Sequence, residues 1–308
     1  MALCACSNSA PMPAVAPKPS AEPVVAMTPN LHIEQHFNGP ELELAQAAAA
    51  GRGDEVQRLV KERHADANAV SPGGLPLLAW PVLRGNAAGV AALLDAGADP
   101  NRAVPAVGTV MVWAAKAESP EILRAFLERG GRADTSDLDR QPLTRIAALA
   151  GQWDNVKLLI EHGADIDAPA HGDSGDTLLT YYSRGQFDKA HWLLERGADP
   201  THRLESAAKP ERIGAQTVVE NVYWWPVDGG RFPQLAQWQQ RCQQLLAARD
   251  LTLPREPAHL QRLRLAQGGG ELGGGGQAAP ATHHEGGGDL KTDIERRESE
   301  LKDALTPR

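Results

Sequence analysis

Four stretches hold residue types that could do chemistry. Gly172-Asp173-Ser174-Gly175, with His171 beside it, puts a hydroxyl, an imidazole and a carboxylate close together in the chain. Nucleophilic catalysis by serine needs a base and an orienting carboxylate that converge from elsewhere in the fold, and the surrounding sequence is helical rather than the β-barrel such a site uses. Gly, Asp and Ser before a helix are also what a turn contains, and the segment is read as a turn. His32 and His36 are four apart and could share a helix face, but zinc takes three or four ligands and no third accompanies them. His283-His284 lies among glycines and is read as inert. No phosphate loop, dinucleotide fingerprint or metalloprotease motif occurs. The expectation is a protein that is not an enzyme, with no catalytic residue, cofactor or metal site.

The elements that would position anything else come from a recurring phrase. It reads Ala96-Gly97-Ala98-Asp99, Arg129-Gly130-Gly131, His162-Gly163-Ala164-Asp165 and Arg196-Gly197-Ala198-Asp199, with the glycines 33, 33 and 34 apart. Each follows a helical run ending in an apolar pair: Leu93-Leu94, Phe126-Leu127, Leu159-Ile160 and Leu193-Leu194. With Val90, Leu123, Val156 or Ala190 three residues earlier the pair forms one buried stripe, and glycine past the last turn can adopt the left-handed conformation that ends a helix. Asp or Asn then opens a polar turn. Upstream lie helix starts at Leu75-Pro76-Leu77-Leu78, Thr109-Val110-Met111-Val112, Gln141-Pro142-Leu143-Thr144 and Asp176-Thr177-Leu178-Leu179.

The period and these helix starts resemble the ankyrin repeat and its Thr-Pro-Leu-His start. The expected fold is an all-α ankyrin-repeat solenoid of about six helix-turn-helix units with short β-turn fingers. The His of the motif is replaced by Leu78, Val112, Thr144 and Leu179, so the hydroxyl-imidazole contacts usual in the family are expected to be reduced. A degenerate first unit over residues 41–68 carries His64-Ala65-Asp66 where Gly-Ala-Asp would sit. A last unit over residues 216–250 has two apolar helices and no Gly-Ala-Asp after it, so a cap without a closing turn is expected there. One repeat cannot bury its own apolar face, so the units stand together.

The chain has 308 residues and a net charge of -8, which argues against nucleic acid, since phosphate binding needs clustered Lys and Arg. No run of apolar residues is long enough for a membrane-spanning helix. The segment boundaries read as 1–6, a signal-peptide remnant; 7–40, a Pro/Ala/Ser tether; 41–250, the repeats; and 251–308, a glycine-rich and charged tail. Leu3-Cys4-Ala5-Cys6 resembles the bacterial lipobox, whose last Cys is acylated, so Cys6 is the expected lipidation site. A longer signal sequence is expected ahead of Met1, because the basic and apolar segments of a signal peptide are missing after it. Lipidation would leave Cys242 as a lone thiol without a disulfide framework. The lipobox implies the periplasmic side of the cell envelope, and a genuine start at Met1 implies the cytoplasm.

Leu44-Ala45-Gln46-Ala47-Ala48, the segment from Gly108 through Trp113-Ala114-Ala115-Lys116, Pro120-Glu121-Ile122-Leu123 and the 238–246 helix are similar to a group of bacterial ankyrin-repeat lipoproteins. Some members of that group look like immunity proteins for phospholipase effectors of the type VI secretion system. That resemblance implies a free monomer that captures such an effector on its concave face. The alternative is a general ankyrin scaffold for an endogenous envelope or cytosolic protein. Charged finger residues Arg102, Asp137, Asp139, Arg140 and Asp173, with His171, are the expected specificity elements. Trp80, Tyr182 and Trp225 are the expected exposed anchors, because Trp and Tyr dominate interface energetics. Trp80 is placed there on the expectation that Pro81 kinks its helix. Trp113 and Trp192 are expected between repeats.

Burying one Leu side chain is worth about 1.5 to 3 kcal/mol. Leu159→Ala is therefore expected to lower Tm, measured by circular dichroism, and an unchanged melt would contradict this register.

Overall fold

Paired helices follow one another in the order that a 33-residue period requires. The computed structural model describes residues 32–171, 176–203 and 217–252, together with 254 and 256. A 3-10 turn, Ile33–Gln35, precedes α1 (Gly39–Ala49), α2 (Gly53–Arg63), α3 (Ala79–Leu83) and α4 (Ala87–Asp95). The antiparallel pair β1 (Ala103–Val104) and β2 (Gly108–Thr109) comes next. Then follow α5 (Val110–Lys116), α6 (Pro120–Leu127), α7 (Leu143–Leu149), α8 (Trp153–Glu161), α9 (Leu178–Tyr182), α10 (Phe187–Glu195), α11 (Thr217–Trp224) and α12 (Pro233–Ala247). Odd-numbered helices form an inner row and even-numbered ones an outer row, each packing on the same row of the next unit except α8, which packs little on α10. The apolar stripe read from the sequence is the core: Leu93, Phe126, Leu159, Leu193 and Leu246 are all fully buried. One cluster of buried apolar side chains runs from Ile33 to Leu246.

Every outer helix ends in the same way. At the four glycines of the phrase φ lies between 87° and 96°, and His64 (54°) and Asp250 (60°) take that place in the first and last units. The turn lets a later N–H reach back to a carbonyl inside the helix, from Ala65 to Leu59, Ala98 to Leu93, Gly131 to Phe126, Ala164 to Leu159, Ala198 to Leu193, and Leu251 to Leu246. This satisfies carbonyls that a helix end leaves open. The expectation of a last unit without a closing turn is thus corrected: the Leu251 N to Leu246 O bond is 2.9 Å. Asp250 does what glycine does elsewhere, because a short polar side chain tolerates the left-handed region better than most. Arg249, beside it, donates to Leu194 O at 2.6 Å and Ala198 O at 3.1 Å, tying the last unit to the end of α10.

The polar residue after each phrase cross-links neighbouring units. Asn68 Nδ2 donates to Gly97 O at 2.9 Å while its Oδ1 accepts from Asp99 N at 2.8 Å. Asn101 repeats both bonds with Gly130 O and Arg132 N, at 2.9 and 2.8 Å. Asp167 accepts from Asp199 N at 2.9 Å, and as a carboxylate it has no amide to donate. Burial raises its pKa, against the bond from Asp199 and with the negative charges of Asp199 and Asp165 adding to the rise. Asp134 stands at the equivalent position but turns to Arg132 in its own unit, with Arg132 Nε 3.2 Å from Asp134 Oδ1. No such bond joins Asp134 to the next unit among the described residues.

The replaced motif histidines explain part of the helix starts. Leu78, Val112, Thr144 and Leu179 are all buried. Thr109 Oγ1 and Thr144 Oγ1 are buried without a hydrogen-bond partner. Thr177 instead keeps a local cap, its Oγ1 accepting from Thr180 N at 3.2 Å.

Close approach of the first two units depends on Gly89 in α4, where a Cβ would overlap the carbonyl oxygen of Ala48 in α1. In an ordinary helix Gly→Ala gains up to about 1 kcal/mol. Here Gly89→Ala is expected to cost about 1 to 3 kcal/mol through overpacking, read as a lower urea midpoint. A higher midpoint would contradict the packing.

Candidate protein-binding surface

Between the outer helix of one unit and the inner helix of the next, the chain projects as a short hairpin. The hairpins close at Val70 with Pro76, at Ala103 with Thr109, and at Ser136 with Pro142. A fourth is bonded from Ala170 N to Asp176 O at 2.9 Å. The first and third share one turn chemistry, two periods apart. Ser71 Oγ accepts from Leu75 N at 3.0 Å, and Asp137 Oδ1 accepts from Gln141 N at 2.8 Å. Gly74 (φ 82°) and Arg140 (φ 59°) occupy the same left-handed position of that turn. For arginine this conformation is strained, and such strain is often held where a side chain serves function.

The strained finger lies where the fourth and fifth units meet. The Arg140 guanidinium hydrogen-bonds to His171 Nε2 in the next finger. A guanidinium only donates, so this imidazole nitrogen accepts. Gln141 clamps the same residue, donating to His171 O at 2.7 Å and accepting from His171 N at 3.2 Å. At the finger tip Leu138 is 62% exposed, the most exposed of the large apolar side chains that stand out among the described residues.

The outer row is least closely packed at this junction. The outer helices α8 and α10 approach less closely than any other neighbouring outer pair. Large rings fill the space, with Trp153 edge-on to Tyr182 at 5.1 Å and to Trp192 at 5.3 Å, and Tyr181 edge-on to Tyr182 at 5.0 Å. A cleft of about 210 Å³ remains beside it, lined by Asp134, Ser136, Thr144, Asp165 and Ala168 among others. It sits where the bond from Asp134 to the next unit is missing.

On the inner row, Arg145 of α7 lies over the Tyr181 ring, 4.5 Å from its centroid. Its Nη1 is buried with no hydrogen-bond partner. Burial holds its pKa below the usual guanidinium value; the carboxylate of Asp176 opposes that shift and the charge of Arg184 adds to it. Asp176 is itself taken by Arg184, whose Nη2 lies 3.0 Å from Oδ2. The surface at this junction therefore combines an exposed Leu, an arginine in a strained turn and a half-buried arginine without a counter-ion.

Of the expected specificity elements, the structure brings Arg140 and His171 together. Asp139 is exposed beside them. Asp137 is half-buried and bound to its own turn, and Arg102 stands half-exposed at the foot of the β1–β2 finger. Asp173 and Cys6 lie outside the described residues. Two expected anchors are corrected. Trp80 is 0% exposed, because α3 begins with the turn before it and Pro81 lies in the first helical turn, where no N–H is needed and no kink follows. Tyr182 is 2% exposed, enclosed by Trp153 and Tyr181. Trp225 is 37% exposed and lies over Gly185, whose added Cβ would stand 3.2 Å from its Nε1. Trp192 meets the preceding unit through Trp153, as expected, and Trp113 is partly buried against the core. His36 faces the Trp80 ring at 5.3 Å. Among the described residues no His, Cys, Asp or Glu group could hold a metal.

Leu138 and Arg145 were missed by sequence reasoning, which weighed charged finger residues and aromatics. A signal existed for Arg145. It directly follows the position of the motif histidine, where the other units carry Ala79, Trp113 and Thr180.

Stacked helix pairs, fingers and the shared inner row define the ankyrin-repeat fold. The family model for ankyrin repeats matches residues 109–203 in three copies. Among solved structures, the ankyrin repeat domain of Bcl-3, described as a unique member of the IkappaB protein family, matches with a TM-score of 0.51 and 22% identity. That match covers 67% of this chain and 87% of the other. The E3 ubiquitin-protein ligase KEG of Arabidopsis thaliana is 29% identical over 185 residues, 58% of this chain. The chain spans only 11% of that relative's length.

Arg140→Gly is expected to relieve about 1 kcal/mol of left-handed strain and raise Tm by about 2 to 4 °C. A lower Tm would show that the Arg140 to His171 contact outweighs the backbone cost.

Proposed function

We propose that the protein is a membrane-anchored inhibitor that captures a secreted phospholipase-type effector, one to one, on the concave face at the junction of the fourth and fifth units. The observation that carries the binding surface is the finger of residues 136–142. It presents Leu138 to solvent beside an arginine that the fold holds at a conformational cost. An exposed apolar side chain ringed by charges has the composition of an interface centre with a polar rim.

The finer reading draws on the amino-terminal sequence and on the resemblance to immunity-type lipoproteins. Leu3-Cys4-Ala5-Cys6 supplies an acylation signal, and the Pro/Ala/Ser-rich sequence between it and the Ile33–Gln35 turn supplies a tether that lets the repeats reach an effector near the lipid surface, shorter than the expected 7–40 because Ile33 and Phe37 are buried in the repeat core. The net charge of -8 leaves nucleic acid aside as a partner. The mechanism is stoichiometric occlusion rather than turnover, and the free protein acts as a monomer on the periplasmic side of the envelope.

The test pairs the chain from Cys6 onward with a secreted phospholipase-type effector and phospholipid vesicles. Fatty-acid release is expected to stop near one molar equivalent, and Leu138→Asp is expected to raise the required dose by about tenfold or more. Undiminished hydrolysis at excess chain, together with capture of a different envelope protein, would favour a general ankyrin scaffold instead.

A further inference from the structure

We propose that Arg145 is the charge-reading anchor of the concave face, and that the partner presents to it a carboxylate from an Asp or Glu side chain flanked by apolar residues. This rests on the reading of the concave face as the capture surface and names the chemistry that it reads.

Several other arginines have acceptors. Arg129 pairs with Asp95 at 2.7 Å, Arg184 with Asp176 at 3.0 Å, and Arg249 caps two carbonyls of the preceding unit. Arg145 has none among the described residues; what it has is the face of Tyr181. A guanidinium carries five N–H donors in a fixed fork, and a charge taken from water without a counter-ion is costly unless something completes it. Stacking on Tyr181 fixes the plane of that fork with Nη1 turned inward, so a partner carboxylate would engage the Nε and Nη2 edge, and part of the ordering needed for that contact is already done in the free protein.

The neighbouring charges select the sign of the ligand. Facing Arg145 are Asp176, Arg184, Tyr181 and Tyr182. Asp176 is engaged by Arg184, which leaves one uncompensated positive charge in a chain whose net charge is -8. An acceptor anion satisfies Arg145 where a neutral amide satisfies it only in part. The apolar flanks follow from Leu138 at the finger tip of the same unit and from Trp113, the residue at the corresponding place on α5, which is partly buried against the core.

The experiment selects binders to the full chain from a displayed library of random peptides and compares wild type with Arg145→Met, which keeps the side-chain length and removes the charge. Selected peptides are expected to require one Asp or Glu. Changing that residue to its amide, or changing Arg145→Met, is expected to weaken binding by about tenfold or more, with no further loss when the two are combined. Arg145→Met by itself is expected to raise Tm by about 2 to 4 °C, because it removes a half-buried charge that lacks a partner. A lower Tm, or peptides that bind Arg145→Met as tightly as wild type, overturns the inference. Peptides indifferent to Arg145→Met but lost on Leu138→Asp leave the concave face standing as the capture surface without this anchor. A library that enriches nothing removes both.

Discussion

The reach of one backbone N–H around a left-handed residue to a carbonyl inside the preceding helix is the interaction on which the stack depends. It ends each outer helix at a fixed place and aims the chain toward the next unit, and it leaves the following Asn or Asp beside the neighbouring turn. Asn68 and Asn101 show the yield of that placement, since a single amide accepts from one backbone group and donates to another of the next unit. The apolar stripes then face each other in register, and burial supplies most of the stabilisation. Six units are held by repetition of a local device rather than by long-range pairing.

Departures from that device gather at one junction. Arg132 stands where other units carry Asp, so Asp134 bonds within its own unit. Beside that change lie the cleft, the wide spacing of the outer helices, the ring cluster of Trp153, Tyr182 and Trp192, and the strained finger with Arg140. Strain and unsatisfied polar groups are not confined to this junction: Ala106 is also left-handed (φ 60°), and Trp80 Nε1, Thr109 Oγ1 and Thr217 Oγ1 are buried without partners in other units.

Much of the fold was legible because glycine after an apolar pair, repeated at a fixed period, suits stacked helix pairs and little else. Burial of Leu159 and its equivalents, and partial burial of Trp192, followed from helical spacing alone. The closing turn at Asp250 was not legible, since left-handed backbone without glycine leaves no mark in residue type. Trp80 and Tyr182 were misplaced for a related reason: large rings look like exposed anchors until the width of the gap that they fill is known. At the surface, Arg140 and His171 could be named, but their contact spans two fingers that no sequence pattern joins. Leu138 went unnoticed because an apolar residue amid charges carries no periodic signal.

The bond missing between Asp134 and the next unit has a mechanical meaning. A tensile load along the stack passes through every junction in turn, and Asn68, Asn101 and Asp167 bridge three of them with side-chain bonds in addition to apolar contact. Where the fourth and fifth units meet, the load passes instead through ring edges and through Arg140 and Gln141, which hold His171 of the next finger. Extension there strains the finger tips rather than the turn that closes the outer helix.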